Sequence, residues 1–203
     1  MKIYNVSEPI VQQYISLVEA GKKTIQDVPD RHREEVANIL GISLAEITLE
    51  EAITNKIAEL SKTCEATIVA GTDVTLSNGT KHYSLTSNDQ NNITNLFDIA
   101  VSTKTDGIPY HADNEECKLY PYTDIIQLYV SAQEYILYHN TYFNMLKAQV
   151  KSMTDIDSVA AVEYGVELNT EYEAKMNDIL TQSSELFAAA MESYGISSET
   201  TLA

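Results

Sequence analysis

Apolar residues recur at helical spacing through the first third of the chain. Ile10, Tyr14, Leu17 and Val18 share one face behind Ser7-Glu8-Pro9, a start signal with a capping hydroxyl and a proline in the first turn. Gly21 stops that helix. Pro29 opens a second, with Val36, Ile39 and Leu40 on its face and Gly41 at its end. Thr48-Leu49-Glu50-Glu51 has the spacing of a capping box and predicts a third helix over 48–65. Its stripe of Leu49, Ile53, Ile57, Leu60 and Cys64 is narrow, which suits seating against one neighbour.

From about Thr67 the period shifts toward two. Ile68 and Ala70, then Val74 and Leu76, alternate as strand residues do, and Asn78-Gly79 is a strong hairpin turn signal. Lys81, Tyr83 and Leu85 form the return strand. Thr86-Ser87-Asn88-Asp89 then caps a helix over 87–104 bearing Ile93, Leu96, Phe97, Ala100 and Val101. Gly107 and Pro109 close it, and a second hairpin runs from Ile108-Pro109-Tyr110 across Asp113-Asn114 to Cys117-Lys118-Leu119-Tyr120. Pro121 and Thr123 introduce the longest helix, about 123–153, with Ile125, Tyr129, Ala132, Ile136, His139, Phe143, Leu146 and Val150 on one face. At 1.5 Å per residue it spans roughly 45 Å. Breaks at Thr154 to Asp157 and at Gly165 precede a last helix over 170–194. It bears Tyr172, Met176, Ile179, Leu180, Ser183, Phe187, Ala190 and Tyr194, and is closed by Gly195 ahead of a polar tail.

These elements predict an α+β protein, mostly α-helical, with two small β-hairpins packed against long helices. The expected divisions are an N-terminal helical region over 1–66, a central α+β domain over 67–153 and a C-terminal helical region over 154–203.

Composition narrows the function classes. Thirteen Lys and Arg stand against 30 Asp and Glu, a formal charge of −17. Such a surface repels phosphate backbones and anionic lipid, so neither nucleic acid nor a membrane is an expected partner. It also serves solubility, and it suits a basic protein. The start Met1-Lys2-Ile3-Tyr4-Asn5 lacks the apolar core of a secretory signal, so synthesis and first folding are expected in a cytoplasm. Cys64 and Cys117 cannot form a disulfide framework and are expected as packed thiols. Tyrosine occurs 13 times against 3 phenylalanines and no tryptophan, a usage that suits half-buried surfaces.

No phosphate loop, nucleophile elbow, paired Cys-x-x-Cys or His-Glu-x-x-His motif is present. The densest polar cluster is His111-Ala112-Asp113-Asn114-Glu115-Glu116-Cys117. As a metal site it would draw ligands from His111, Asp113, Cys117 and His139. As a hairpin turn it would place Asp-Asn at the bend, solvate the glutamates and face Cys117 to the core. The spacing matches no closed zinc pattern, so neither a metal nor a cofactor is expected. A Cys117 nucleophile with His111 as base is disfavoured, because nearby negative charge raises a thiol pKa. The aromatic run of the long helix reads as core and rim packing or as a partner interface. In the second reading Phe143 and Leu146 are anchors, with Tyr135, Tyr138 and Tyr142 around them.

Three blocks carry a resemblance. They are Val74-x-Leu76-x-Asn78-Gly79-x-x-x-Tyr83-Ser84-Leu85-Thr86-x-x-Asp89-Gln90, then Pro109-Tyr110-His111-Ala112-Asp113-x-Glu115-Glu116-Cys117, then Tyr138-His139-x-Thr141-Tyr142-Phe143-Asn144-x-Leu146-Lys147. Over about Ala70 to Met153 the chain resembles an uncharacterised domain family of tailed phages and prophages, encoded beside tail-fibre and baseplate genes. The segment Val18-Glu19-Ala20-Gly21-Lys22-x-Thr24-Ile25 with Val28-Pro29 is similar, less specifically, to helical segments of phage tail-region proteins. The resemblance implies a place in the virion tail and supplies no catalytic residues. The expectation is a non-enzymatic structural protein of the baseplate or of the tail-fibre, receptor-binding apparatus. It would be made in the bacterial cytoplasm and would bind other phage tail proteins or copies of itself. A tail-fibre assembly chaperone and a metal-dependent cell-envelope hydrolase are the alternatives.

Overall fold

A computed structural model describes residues 5–42 and 47–194. The chain divides into two compact units, Met1–Thr48 and Leu49–Ala203. The boundary expected after residue 66 falls inside a helix of the second unit.

In the first unit, α1 (Pro9–Glu19) and α2 (Asp30–Leu40) close over Val11, Ile15, Ile25, Val28, Val36 and Ala37. Pro9 opens α1 as expected, but the cap differs. Glu8 holds the N-cap position without a side-chain bond, and the Ser7 hydroxyl donates instead to the Glu35 carboxylate of α2. Gly41 ends α2 in the left-handed conformation.

The second unit is α+β and mostly helical, with two antiparallel hairpins against long helices. Its order is α3 (Leu49–Ala70), β1 (Thr72–Leu76), β2 (Gly79–Tyr83), α4 (Ser87–Thr103), β3 (Ile108–Tyr110), β4 (Lys118–Tyr120), α5 (Tyr122–Lys151), α6 (Ile156–Ala160) and α7 (Thr170–Ser193). β1 pairs with β2 from Thr72↔Tyr83 to Leu76↔Gly79, and β3 with β4 from Ile108↔Tyr120 to Tyr110↔Lys118. The capping box of α4 forms as its spacing predicts. The Thr86 hydroxyl accepts from the Asp89 N–H at 3.3 Å, and Asp89 accepts from the Thr86 N–H at 3.0 Å.

The strand expected from Thr67 is not there. Leu60, Cys64 and Ile68 are buried at intervals of four, so the apolar stripe carries α3 on to Ala70. Gly71, at φ +88°, then turns the chain into β1. α4 ends at Thr103, in keeping with the expected bound of 104, and Lys104 rather than a glycine takes up the left-handed conformation at its cap.

Two apolar clusters explain the length of α5. Its first half packs with Val74, Leu76, Tyr83, Leu85, Ile93 and Phe97 beneath the hairpins and α4. Its second half, through Tyr142, Leu146 and Val150, packs with Leu60 of α3, Val159 of α6 and Met176 of α7. One helix therefore serves two cores, and α3, α6 and α7 cover the part that the hairpins do not reach. Among the described residues no helix is long and apolar enough to cross a membrane.

Candidate functional site

The polar cluster between β3 and β4 ties the two hairpins together. Asn114 bends the chain at φ +59°. Asp113 accepts from the Ser84 N–H at 3.1 Å and from its hydroxyl, while the Asp113 N–H donates to the His82 carbonyl at 3.0 Å. Glu115 bridges Lys81 at 2.5 Å and Lys118 at 2.7 Å. Cys117 is exposed rather than facing the core; Ala112 and Tyr120 take the buried places. Among the described residues no three His, Cys, Asp or Glu side chains are placed to hold a metal ion. Three of the four candidate ligands have separate engagements. Asp113 is held by Ser84, His139 pairs with Tyr164 on another face, and the His111 ring stacks on Tyr110.

Hydrogen bonds from Lys118 and Lys81 hold the Glu115 carboxyl well below its ordinary range, at about 2. A depressed carboxyl contributes stability above its unfolded pKa and loses it as pH falls through the folded value. Wild type and Glu115→Gln should therefore differ in Tm at pH 6 and converge between about pH 4.5 and 2. The gap should narrow in high salt, because the lysines remain partly solvated. Melting curves across that range decide it. A gap that persists at pH 2 would trace to packing rather than charge.

The aromatic run of α5 divides between core and surface. Leu146 is fully buried and Tyr142 nearly so. Leu146 is out of a partner's reach, so its expectation as an anchor is corrected: α3, α6 and α7 cover it. Tyr142 donates to the Val166 carbonyl at 2.7 Å and accepts from the Gly165 N–H at 2.9 Å, pinning the segment between α6 and α7. Phe143 is partly buried against the same cluster. Tyr135 donates to the Thr67 carbonyl at 3.2 Å, joining α5 to α3. Of the five expected interface residues Tyr138 is the open one, 48% exposed.

His139 Nδ1 lies 3.0 Å from the Tyr164 hydroxyl, and the Cys64 thiol reaches the His139 carbonyl at 3.5 Å. Burial lowers the His139 pKa and favours the neutral ring.

Two concavities meet at Tyr138. The first is a trough of about 620 Å³ between α5 and α7, lined by Leu137 and Tyr138 on one side and Leu180, Phe187 and Ala190 on the other. Leu186 also lines it and is 74% exposed, which the expected α7 face did not include. Ile179, expected on that face, is more than a third exposed, and the buried residues of α7 are Met176 and Met191. The second is a cavity of about 480 Å³ where Tyr138, His139, Tyr142 and Tyr164 meet Glu167 and the first turns of α7. Tyr164 and Glu167 had no signal beyond the break at Gly165; a loop residue's partner is set by the fold.

The fold and these surfaces define a small α+β module that presents a helical face. The chain belongs to the family described as Domain of unknown function (DUF4376), which matches residues 51–166, more than half of the chain. That stretch runs from the first turn of α3 through α6 to Val166, and leaves out α1, α2 and α7. No curated protein and no solved structure matches the chain.

Proposed function

We propose that this protein is a non-enzymatic structural component of a phage tail that holds another tail protein along the trough between α5 and α7. The observation that carries the reading is Leu186. A leucine 74% exposed on the rim of an apolar trough is poorly placed for a free surface and well placed for an interface. The resemblance to domains encoded beside tail-fibre and baseplate genes supports the tail as its setting. Charge selects the occupant. Two copies at −17 repel each other, whereas an amphipathic helix with basic flanks gains both apolar burial and attraction.

Leu186→Glu should weaken capture of the co-expressed tail-fibre or baseplate protein by roughly thirtyfold or more, the loss of about 2 kcal/mol typical of a truncated anchor. Its Tm should stay near that of wild type, because the side chain is mostly solvated already. Undiminished capture would remove the trough from the interface. Mass spectrometry of purified particles checks the setting: stoichiometric copies support a virion component. Binding without incorporation supports an assembly chaperone instead.

A further inference from the structure

The cavity beside the trough has a chemistry of its own. Three tyrosines and a histidine line it, and the rings are held in place. Tyr142 and Tyr164 meet edge to face at 5.2 Å, Tyr138 meets His139 the same way at 5.2 Å, and His139 bonds to Tyr164. Tyr142 is fixed further by the backbone of Gly165 and Val166. Two carboxylates complete the lining. Glu167 comes from the connecting segment, and Glu173 shares a face of α7 with Met176 and Asn177 at i, i+3 and i+4. Among the described residues neither glutamate forms an ion pair with a lysine or arginine. Lys175, the nearest base in sequence, is tied to Glu171 at 2.6 Å. Burial lowers the His139 pKa and so disfavours a positive charge on its ring.

We propose that this cavity is a binding site for a guanidinium group, filled by an arginine side chain of the protein docked in the neighbouring trough. Aromatic faces attract a cation through their quadrupole, and a planar guanidinium stacks on tyrosine while forking to a carboxylate. A lysine ammonium lacks the planar stack and is harder to desolvate. The identity of the carrier rests on the trough reading above; the site itself does not. From Ala190 to Glu173 along α7 is about 25 Å at 1.5 Å per residue. That length spans both surfaces, and a helix seated in the trough would carry its arginine about two turns beyond the trough's near end at Leu180, with Tyr138 at the junction.

The test uses the whole ¹⁵N-labelled chain and no partner. Nα-acetyl-arginine methylamide is titrated at constant ionic strength, beside the glutamine and lysine analogues. Saturable shifts are expected at the Gly165, Val166 and Asn177 amides with the arginine compound. The lysine compound should bind several-fold more weakly and the glutamine compound not at all. Glu167→Gln combined with Glu173→Gln should weaken the arginine compound at least tenfold, with an unchanged melting curve because both side chains are exposed. Tyr138→Ala, also at an exposed side chain, should do the same through loss of the stacking face. The proposal is overturned if no saturable shift appears, if glutamine or lysine binds equally well, or if the double variant binds like wild type. Leu186→Glu separates the two readings: it should abolish partner capture and leave the arginine titration intact.

Discussion

Gly71→Ala should destabilise the second unit by roughly 3 kcal/mol, at the upper end of ordinary single substitutions. Gly71 joins α3 to β1 at φ +88°, where an L side chain is strained. The greater problem is contact. A Cβ there would lie 2.0 Å from the Tyr83 carbonyl oxygen and 2.6 Å from the Ser84 Cα, both backbone atoms that no rotamer change can move. Relief requires the end of α3 and the start of the first hairpin to separate, which strains the bond from the Leu85 N–H to the Val69 carbonyl. Leu85 and Tyr83 are buried in the first cluster, so the damage reaches the core. Gly79→Ala is the matched comparison. It shares a positive φ, +102°, but faces open space, so only backbone strain of about 1–2 kcal/mol applies. Urea denaturation of both variants measures the difference. Equal losses would mean that the close approach at Gly71 costs nothing.

The elements legible in the sequence were those whose signals are local. Asn78-Gly79 set the first hairpin, and Thr86 with Asp89 set the start of α4, because each works through bonds within four residues. α5 was bounded to within two residues at both ends, having eight turns over which a period can establish itself. Local signals failed where two periods overlapped. Ile68 fits the i, i+4 series from Leu60 and Cys64 as well as an alternation with Ala70, and only packing against α5 chose the helix. The break at Thr154 to Asp157 conceals α6, five residues capped by Asp155 on Ser158, too short to show a period. The Gly195 stop lies outside the described residues.

The candidate site was legible in part. Periodicity marks which residues of a helix share a face, but not which part of that face a neighbour covers. Leu146 and Phe187 both lie on the stripes read from the sequence, whereas Leu186 does not. Yet Leu146 is enclosed, and Phe187 and Leu186 line the trough, because three elements close on the second half of α5 while α7 has a neighbour along one side. Tyr138 was named for its residue type and proved open. The glutamates of the cavity were lost among 30 acidic residues, with nothing in their spacing to distinguish them.

Leu146→Ala turns that distinction into a measurement. The side chain is fully buried among Leu60, Val150, Val159 and Met176, contributed by α3, α5, α6 and α7. Its removal loses the transfer free energy of the deleted methylenes and leaves a cavity that four elements cannot readily collapse. The expected cost is about 3 kcal/mol, within the 2–5 typical of buried leucines. Leu186→Ala, at a side chain 74% exposed, should fall within about 0.5 kcal/mol of wild type. Binding should show the opposite order at a temperature where both variants are folded: Leu186→Ala weakens capture of the tail partner, and Leu146→Ala leaves it unchanged. Urea denaturation and co-purification on the same preparations give both readings. A Leu146→Ala protein as stable as wild type but deficient in capture would restore that residue as an anchor and displace the trough.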